Sequence, residues 1–377
     1  MLLIFSFNIS NSIDFLYFVN TMKLKEFLHY TYIFPVLAVG YYFSGLMGTG
    51  VLFDVIAGIL LTGSVLSAVH HAEVVAHKVG EPFGTIILAL CITIIEVALI
   101  ISLMVAGGDQ AITLARDTVF AAVMLILNGI LGICILVGGV KYYEQFFART
   151  SATTYLICIV SILVLTLVLP NFTSSINGPF YNKAQLTFVS IACLVIYGVF
   201  LMVQTVRHRS YFIVPEDHSH EHYIPSFPKT AISFVFLVIC LAIVVMMAKG
   251  LSTTIEDMVR SLGAPKSLVG VIIAAVVLLP EGLAAIRAAR SNQIQSSLNL
   301  ALGSALASIG LTIPAVSAVC IMYDIPLVLG LDKKDIILLS LSVFIVMLSL
   351  SRGKTNVLYG TVLLVNLAAY IFTVIVP

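Results

Sequence analysis

Two glutamates stand alone in the middle of long apolar stretches, Glu96 within residues 84–106 and Glu281 within residues 267–290. A carboxylate at that depth in lipid costs roughly 2.5–3.5 kcal/mol on insertion scales, so it has to be protonated, paired or turned toward a polar cavity. No Lys or Arg lies mid-stretch to pair with either acid, which leaves protons and metal cations as the neutralising partners. For a single such acid, the alternative is a protonated side chain that merely bonds a neighbouring helix. Two at matched positions point to one shared site, with Glu96 and Glu281 as its cation, metal and proton ligands.

The surroundings offer further oxygens. Pro280 has no N–H to give to the carbonyl of Val276, so the helix is expected to kink or unwind there and leave that oxygen facing a cation; an ordinary proline kink is the alternative. Thr93, one turn before Glu96, adds a hydroxyl. Ser297, Ser304, Ser308 and Thr312 recur along one helical face as a stripe suited to ligation or to close helix packing. Asn128 is the matching mid-stretch polar residue of the first half.

Such residues need elements that span a bilayer, and composition supplies them. The 377 residues are 60% hydrophobic and 10% charged, against roughly 25% charged in soluble domains. Apolar stretches approaching the ~20 residues that cross a membrane fall at 29–48, 51–69, 84–106, 117–139, 152–169, 186–205, 229–248, 267–290, 295–320, 335–350 and 355–376. The expected fold is an all-α integral membrane protein of about eleven transmembrane helices. It divides as a first helix (29–50) plus two five-helix repeats, 51–205 and 229–377. Five is odd, so the second repeat is inverted, and Ala89–Glu96 overlays Ala274–Glu281. Basic residues favour alternate loops, with Lys78, Lys141, Arg207, Arg209 and Arg287 on the same side as Lys23 and Lys25. The N-terminus is therefore expected in the cytoplasm.

A net charge of +1 gives no reason to expect nucleic acid; the partners are the lipid bilayer, inorganic cations and protons. Oligomeric state is not written in the sequence. Six scattered cysteines without CxxC spacing read as small buried hydrophobes. Residues 1–28 form an N-terminal extension in which Met22 looks like the natural start.

Between the repeats, residues 206–228 make a cytoplasmic linker in which His208, His218, His220 and His222 alternate with Glu216, Asp217 and Glu221. A solvated linker is the plainer reading and a pH or cation sensor the sharper one. Glu81 and Pro82 suit the first turn of a helix, with a role at the cytoplasmic entrance as the other reading. Thr253 and Glu256 resemble a capping box opening a short amphipathic helix. An intramembrane hydrolase would need HExxH, or a base beside a buried serine. His70-His71-Ala72-Glu73 lacks the motif, and all eight histidines are assigned to loops or span ends. A cation channel could use the same two carboxylates.

The stretches HHAEVVAHKVGEPFGTIILALCITIIEVALI (70–100), LARDTVFAAVMLILNGILGICILVGG (114–139), LPNFT (169–173) and GAPKSLVGVIIAAVVLLPEGLAAIRAARSNQIQSSLNLALGSALASIGLTIPAV (263–316) closely resemble the ChaA-type calcium/proton antiporters of the cation/calcium exchanger superfamily. The resemblance runs from about residue 30 to the end. It implies two repeats with an acid in each as the cation and proton site, here Glu96 and Glu281. It also implies a secondary antiporter of a bacterial cytoplasmic membrane, neither an enzyme nor a user of cofactors, exchanging Ca2+, and also Na+ and K+, for H+. The wider superfamily places Gly-Asn shortly before each acid, whereas here Thr93-Ile94-Ile95 and Leu279-Pro280 stand there. Calcium takes six to eight oxygens, so this poorer set fits a broader cation range.

Overall fold

In lipid a backbone must satisfy its own hydrogen bonds, which leaves an apolar chain of this kind the α-helix. The computed structural model describes residues 29–80, 83–107, 112–212, 225–261 and 267–376, and among them no strand occurs. Glu81, His218, His220, His222 and the extension with Met22 lie outside the described residues.

Eleven helices follow among the described residues: α1 (Tyr30–Phe43), α2 (Val51–Val79), α3 (Phe83–Gly107), α4 (Leu114–Tyr142), α5 (Arg149–Phe172), α6 (Lys183–Arg207), α7 (Phe227–Ser261), α8 (Ser267–Arg290), α9 (Ile294–Tyr323), α10 (Lys333–Leu350) and α11 (Val357–Ile375). Eight of them are long and apolar enough to cross a membrane by length and composition. Outward-facing side chains are apolar as well, as Phe188, Ile191, Val195 and Val199 on α6 show. The chain is an all-α integral membrane protein.

Three boundaries differ from the sequence reading. α1 stops at Phe43, because Gly45 and Gly48 take left-handed φ of 71° and 76° and turn the chain. α2 runs ten residues past the expected 69, since residues 70–79 contain neither Gly nor Pro and the chain first turns at Gly80, at φ 78°. His70, His71 and His77 are therefore helical rather than in a loop. α7 continues unbroken to Ser261, so Thr253 opens no separate helix; Gly250 alone costs about 1 kcal/mol, too little to end one.

The molecule divides into two units. One comprises residues up to Leu88 together with Glu221–Met247. In it α1 lies along α2, with the Phe34 ring filling the space a β-carbon on Gly63 would need. His71 is fully buried; its Nε2–H donates to the Thr31 carbonyl at 3.1 Å, and its ring meets Tyr32 and Phe236.

The other unit, Ala89–His220 with Ala248–Pro377, contains both glutamates. α4 and α9 are its most enclosed spans. α8 lies parallel to α4 along its length. Gly270 sits at Asp117–Thr118 and Gly282 at Ile130, while the Arg290 carbonyl accepts from Lys141 Nζ and Tyr142 OH, both at 2.9 Å. α4 also packs on α11 through Gly132, Gly139 and Gly360, the small residues that let helices approach in lipid. α9 packs on α6, and Glu96 ties α3 to it.

Candidate functional site

α3 is two-faced around Glu96. Leu90 and Ile94, four apart, point outward, whereas Thr93, Glu96 and Ile100 are buried. Periodicity thus turns the acid away from lipid. Glu96 is 4% exposed, and its carboxyl group meets α9 at Ser308 and Thr312, which lie one turn apart on one face. Ser308 Oγ is 2.7 Å from Oε1 and 2.8 Å from Oε2, and Thr312 Oγ1 donates to Oε2 at 3.0 Å.

A hydroxyl has one proton and two lone pairs, so the doubly short Ser308 contact has two chemical readings. Facing a carboxylate, Ser308 shares its proton between both oxygens. Facing the carboxylic acid, it accepts from the acid O–H while Thr312 still donates. The pair of hydroxyls therefore accommodates Glu96 in either protonation state.

On α8, both carboxylate oxygens of Glu281 are sealed from solvent, and Gly282 beside it rests on Ile130 of α4. α8 packs against α9 too, so the helix holding Glu96 also flanks the helix bearing Glu281. Pro280 lies inside an uninterrupted helix: α8 does not unwind, and Val276 simply lacks its usual N–H partner.

The remaining sequence-derived residues separate. Thr93 is buried on the Glu96 face, and Ser304 is half-buried on α9 without reaching Glu96. Asn128 is fully buried but hydrogen-bonds Ser342 and Asn366, at 3.0 and 2.9 Å. These two partners escaped the sequence reading, although each is a polar residue in the middle of an apolar stretch, the signal that singled out the glutamates. Thr312, read only as part of a stripe, turns out to touch the acid. A cavity of about 550 Å³ lies elsewhere, between the start of α6 and the α9–α10 loop. Lys183 and Asp324 pair at its rim at 2.8 Å, which holds the Asp324 carboxyl below the usual range; neither glutamate lines it.

This is the fold of membrane ion exchangers. It superposes on the solved Ca2+/H+ antiporter protein YfkE with a TM-score of 0.69, covering 93% of this chain and 99% of that one at 17% identity. The chain belongs to the sodium/calcium exchanger protein family, whose model matches residues 49–206 and 232–376. Over 321 residues it is 45% identical to the putative ionic transporter y4hA of Sinorhizobium fredii, covering 84% of this chain and 87% of that protein. Over 351 residues it is 34% identical to the sodium-potassium/proton antiporter ChaA of Escherichia coli, covering 91% and 95%.

Proposed function

We propose that the protein is a secondary antiporter that exchanges Ca2+, and also Na+ and K+, for H+ across a bacterial cytoplasmic membrane, with Glu96 and Glu281 as the shared cation and proton ligands. The observation that carries this reading is the Glu96 carboxyl group, buried on the apolar helix α3 and met by two hydroxyls from α9. The relatives named for sodium-potassium/proton and for Ca2+/H+ exchange support the ion classes. Two separate family matches, 49–206 and 232–376, support the division into repeats, and the loop charges support a cytoplasmic N-terminus.

Two ionised carboxylates carry a charge of minus two, which one divalent cation, two monovalent cations or two protons cancel. Closing the site while both are charged is penalised by desolvation and mutual repulsion. Only a loaded carrier then passes between its inward- and outward-open states, which couples cation movement one way to proton movement the other. Because neighbouring acids titrate together, their protonation belongs to the pair. Ser308 and Thr312 stabilise the carboxylate once its proton leaves.

The test is reconstitution into liposomes carrying a pH gradient, with uptake of Ca2+, Na+ and K+ measured separately. Uptake that collapses with the gradient and releases protons in proportion supports the exchanger. Cation flux that continues without any counter-moving proton makes the protein a channel and ends the reading.

A further inference from the structure

A second group of buried polar side chains lies within the spans, where α4, α10 and α11 meet. Ser342 donates its hydroxyl proton to Leu338 O at 2.7 Å, so its oxygen is left to accept. It accepts from Asn128 Nδ2 at 3.0 Å and from Asn366 Nδ2 at 2.8 Å. The same Asn366 amide also donates to Asn128 Oδ1 at 2.9 Å, and Asn128 Nδ2 reaches back to Met124 O at 3.2 Å. Both amide hydrogens of Asn128 are committed and its oxygen is already accepting, so this node is built as a clamp.

What it clamps is a weak point in α4. Asn128 sits in the π-turn Leu125–Ile130, a widened segment inside an otherwise α-helical span. Such turns are rare and occur mostly as single widened turns inside α-helices, often at functional sites. Were this one to tighten to α-helix, everything beyond it would rotate by about 100° relative to what precedes it. Ile130 closes the turn and rests against α8: a β-carbon on Gly282 would lie 3.3 Å from Ile130 Cδ1 and 3.4 Å from Cγ1. Gly282 follows Glu281 directly. The rotational setting of α4 at Asn128 is thus mechanically joined to the backbone that carries the acid.

We propose that Ser342 and Asn366 are positioning residues for cation exchange: by clamping Asn128 they hold the π-turn of α4 against Gly282 and so set the position of Glu281. This rests on the reading that Glu281 binds the transported cation and proton. Neither residue need touch an ion. Their effect falls on affinity, because Glu281 is displaced rather than removed, while the conformational cycle remains available.

Asn366→Leu removes both donors at similar size; Ser342→Ala, which removes only the shared acceptor, serves if the leucine variant does not fold. In liposomes the apparent Km for Ca2+ is expected to rise about three- to thirty-fold with maximal rate within about twofold of the parent, the range over which coupling residues act. Ile159→Ala, a core deletion on α5, controls for lost stability alone and should lower thermal stability while leaving Km in place. An independent readout is covalent labelling of Glu281 by dicyclohexylcarbodiimide in the purified full-length Glu96→Gln protein, followed by peptide mass spectrometry. Adding Asn366→Leu should change the Glu281 labelling rate at least threefold. Unchanged labelling overturns the proposal, as does a Km change that merely follows thermal stability in the Ile159→Ala control. Should Glu96→Gln still exchange at full rate, the assignment of the acids fails, yet the labelling comparison still decides whether the node positions Glu281.

Discussion

Ser308→Ala removes one side chain's oxygen from the Glu96 carboxyl and leaves the rest of α9 in place. Ser308 contacts both carboxylate oxygens at 2.7 and 2.8 Å, while Thr312 reaches only Oε2, at 3.0 Å. The variant thus loses the stronger of two hydroxyl contacts, and Oε1 loses its α9 hydroxyl. A hydrogen bond to a charged group contributes about 1.5–3 kcal/mol. The acid form also loses a neutral hydrogen bond of about 0.5–1.5 kcal/mol, so the ionised, cation-binding form is disfavoured by a net of about 1–1.5 kcal/mol and apparent cation affinity should fall by about 5- to 13-fold. Thr312→Val, losing one longer contact, should lie at or below the bottom of that range, and the double variant should approach the loss seen without the acid. The assay is proton flux in everted vesicles titrated with Ca2+, with the amount and thermal stability of the protein measured in parallel. A folded Ser308→Ala protein whose affinity stays within twofold of the parent would refute the claim that this hydroxyl supports the carboxylate.

Gly360→Ala places a β-carbon 2.6 Å from Leu136 N and 2.7 Å from Gly132 O, backbone against backbone, so α4 and α11 must part. A cost of about 1–3 kcal/mol is expected, read as a lowered melting temperature in detergent; an unchanged melt would show that the crossing is looser than described. His71→Leu leaves the buried Thr31 carbonyl without its 3.1 Å donor and should cost about 1–3 kcal/mol in the same measurement, with an unaltered melt as the contrary result. Deleting residues 216–222 should leave the maximal exchange rate in place. A displaced pH profile in that variant would identify the histidine-rich linker as a sensor and an unchanged profile would dismiss that role.

The eleven helices were legible because lipid enforces a simple code: apolar runs of sufficient length become spans, and buried charge stands out within them. Glu96 and its partner Ser308 were found in that way, one from its cost and the other from its place on a polar stripe. What the code misses lies at ends and between helices. α1 ends where Gly45 and Gly48 take left-handed φ, and the extra turns of α2 and α7 are polar enough to leave the apolar window while nothing breaks the helix. Asn128 was recognised as notable, but its partners Ser342 and Asn366 lie 214 and 238 residues away in sequence, and only packing brings them together. The π-turn that holds Asn128 leaves no mark in hydropathy, because Leu125–Ile130 is as apolar as the α-helix around it.

The central claim is that one ionisable group from each half carries the exchanged charge. It is tested most directly by measuring cation-driven proton movement in everted vesicles for Glu96→Gln and Glu281→Gln, each challenged with Ca2+, Na+ and K+ in turn. Glutamine keeps the shape and cannot ionise, so both variants should be inserted and folded yet inert toward every cation. Full exchange by either one would contradict the account.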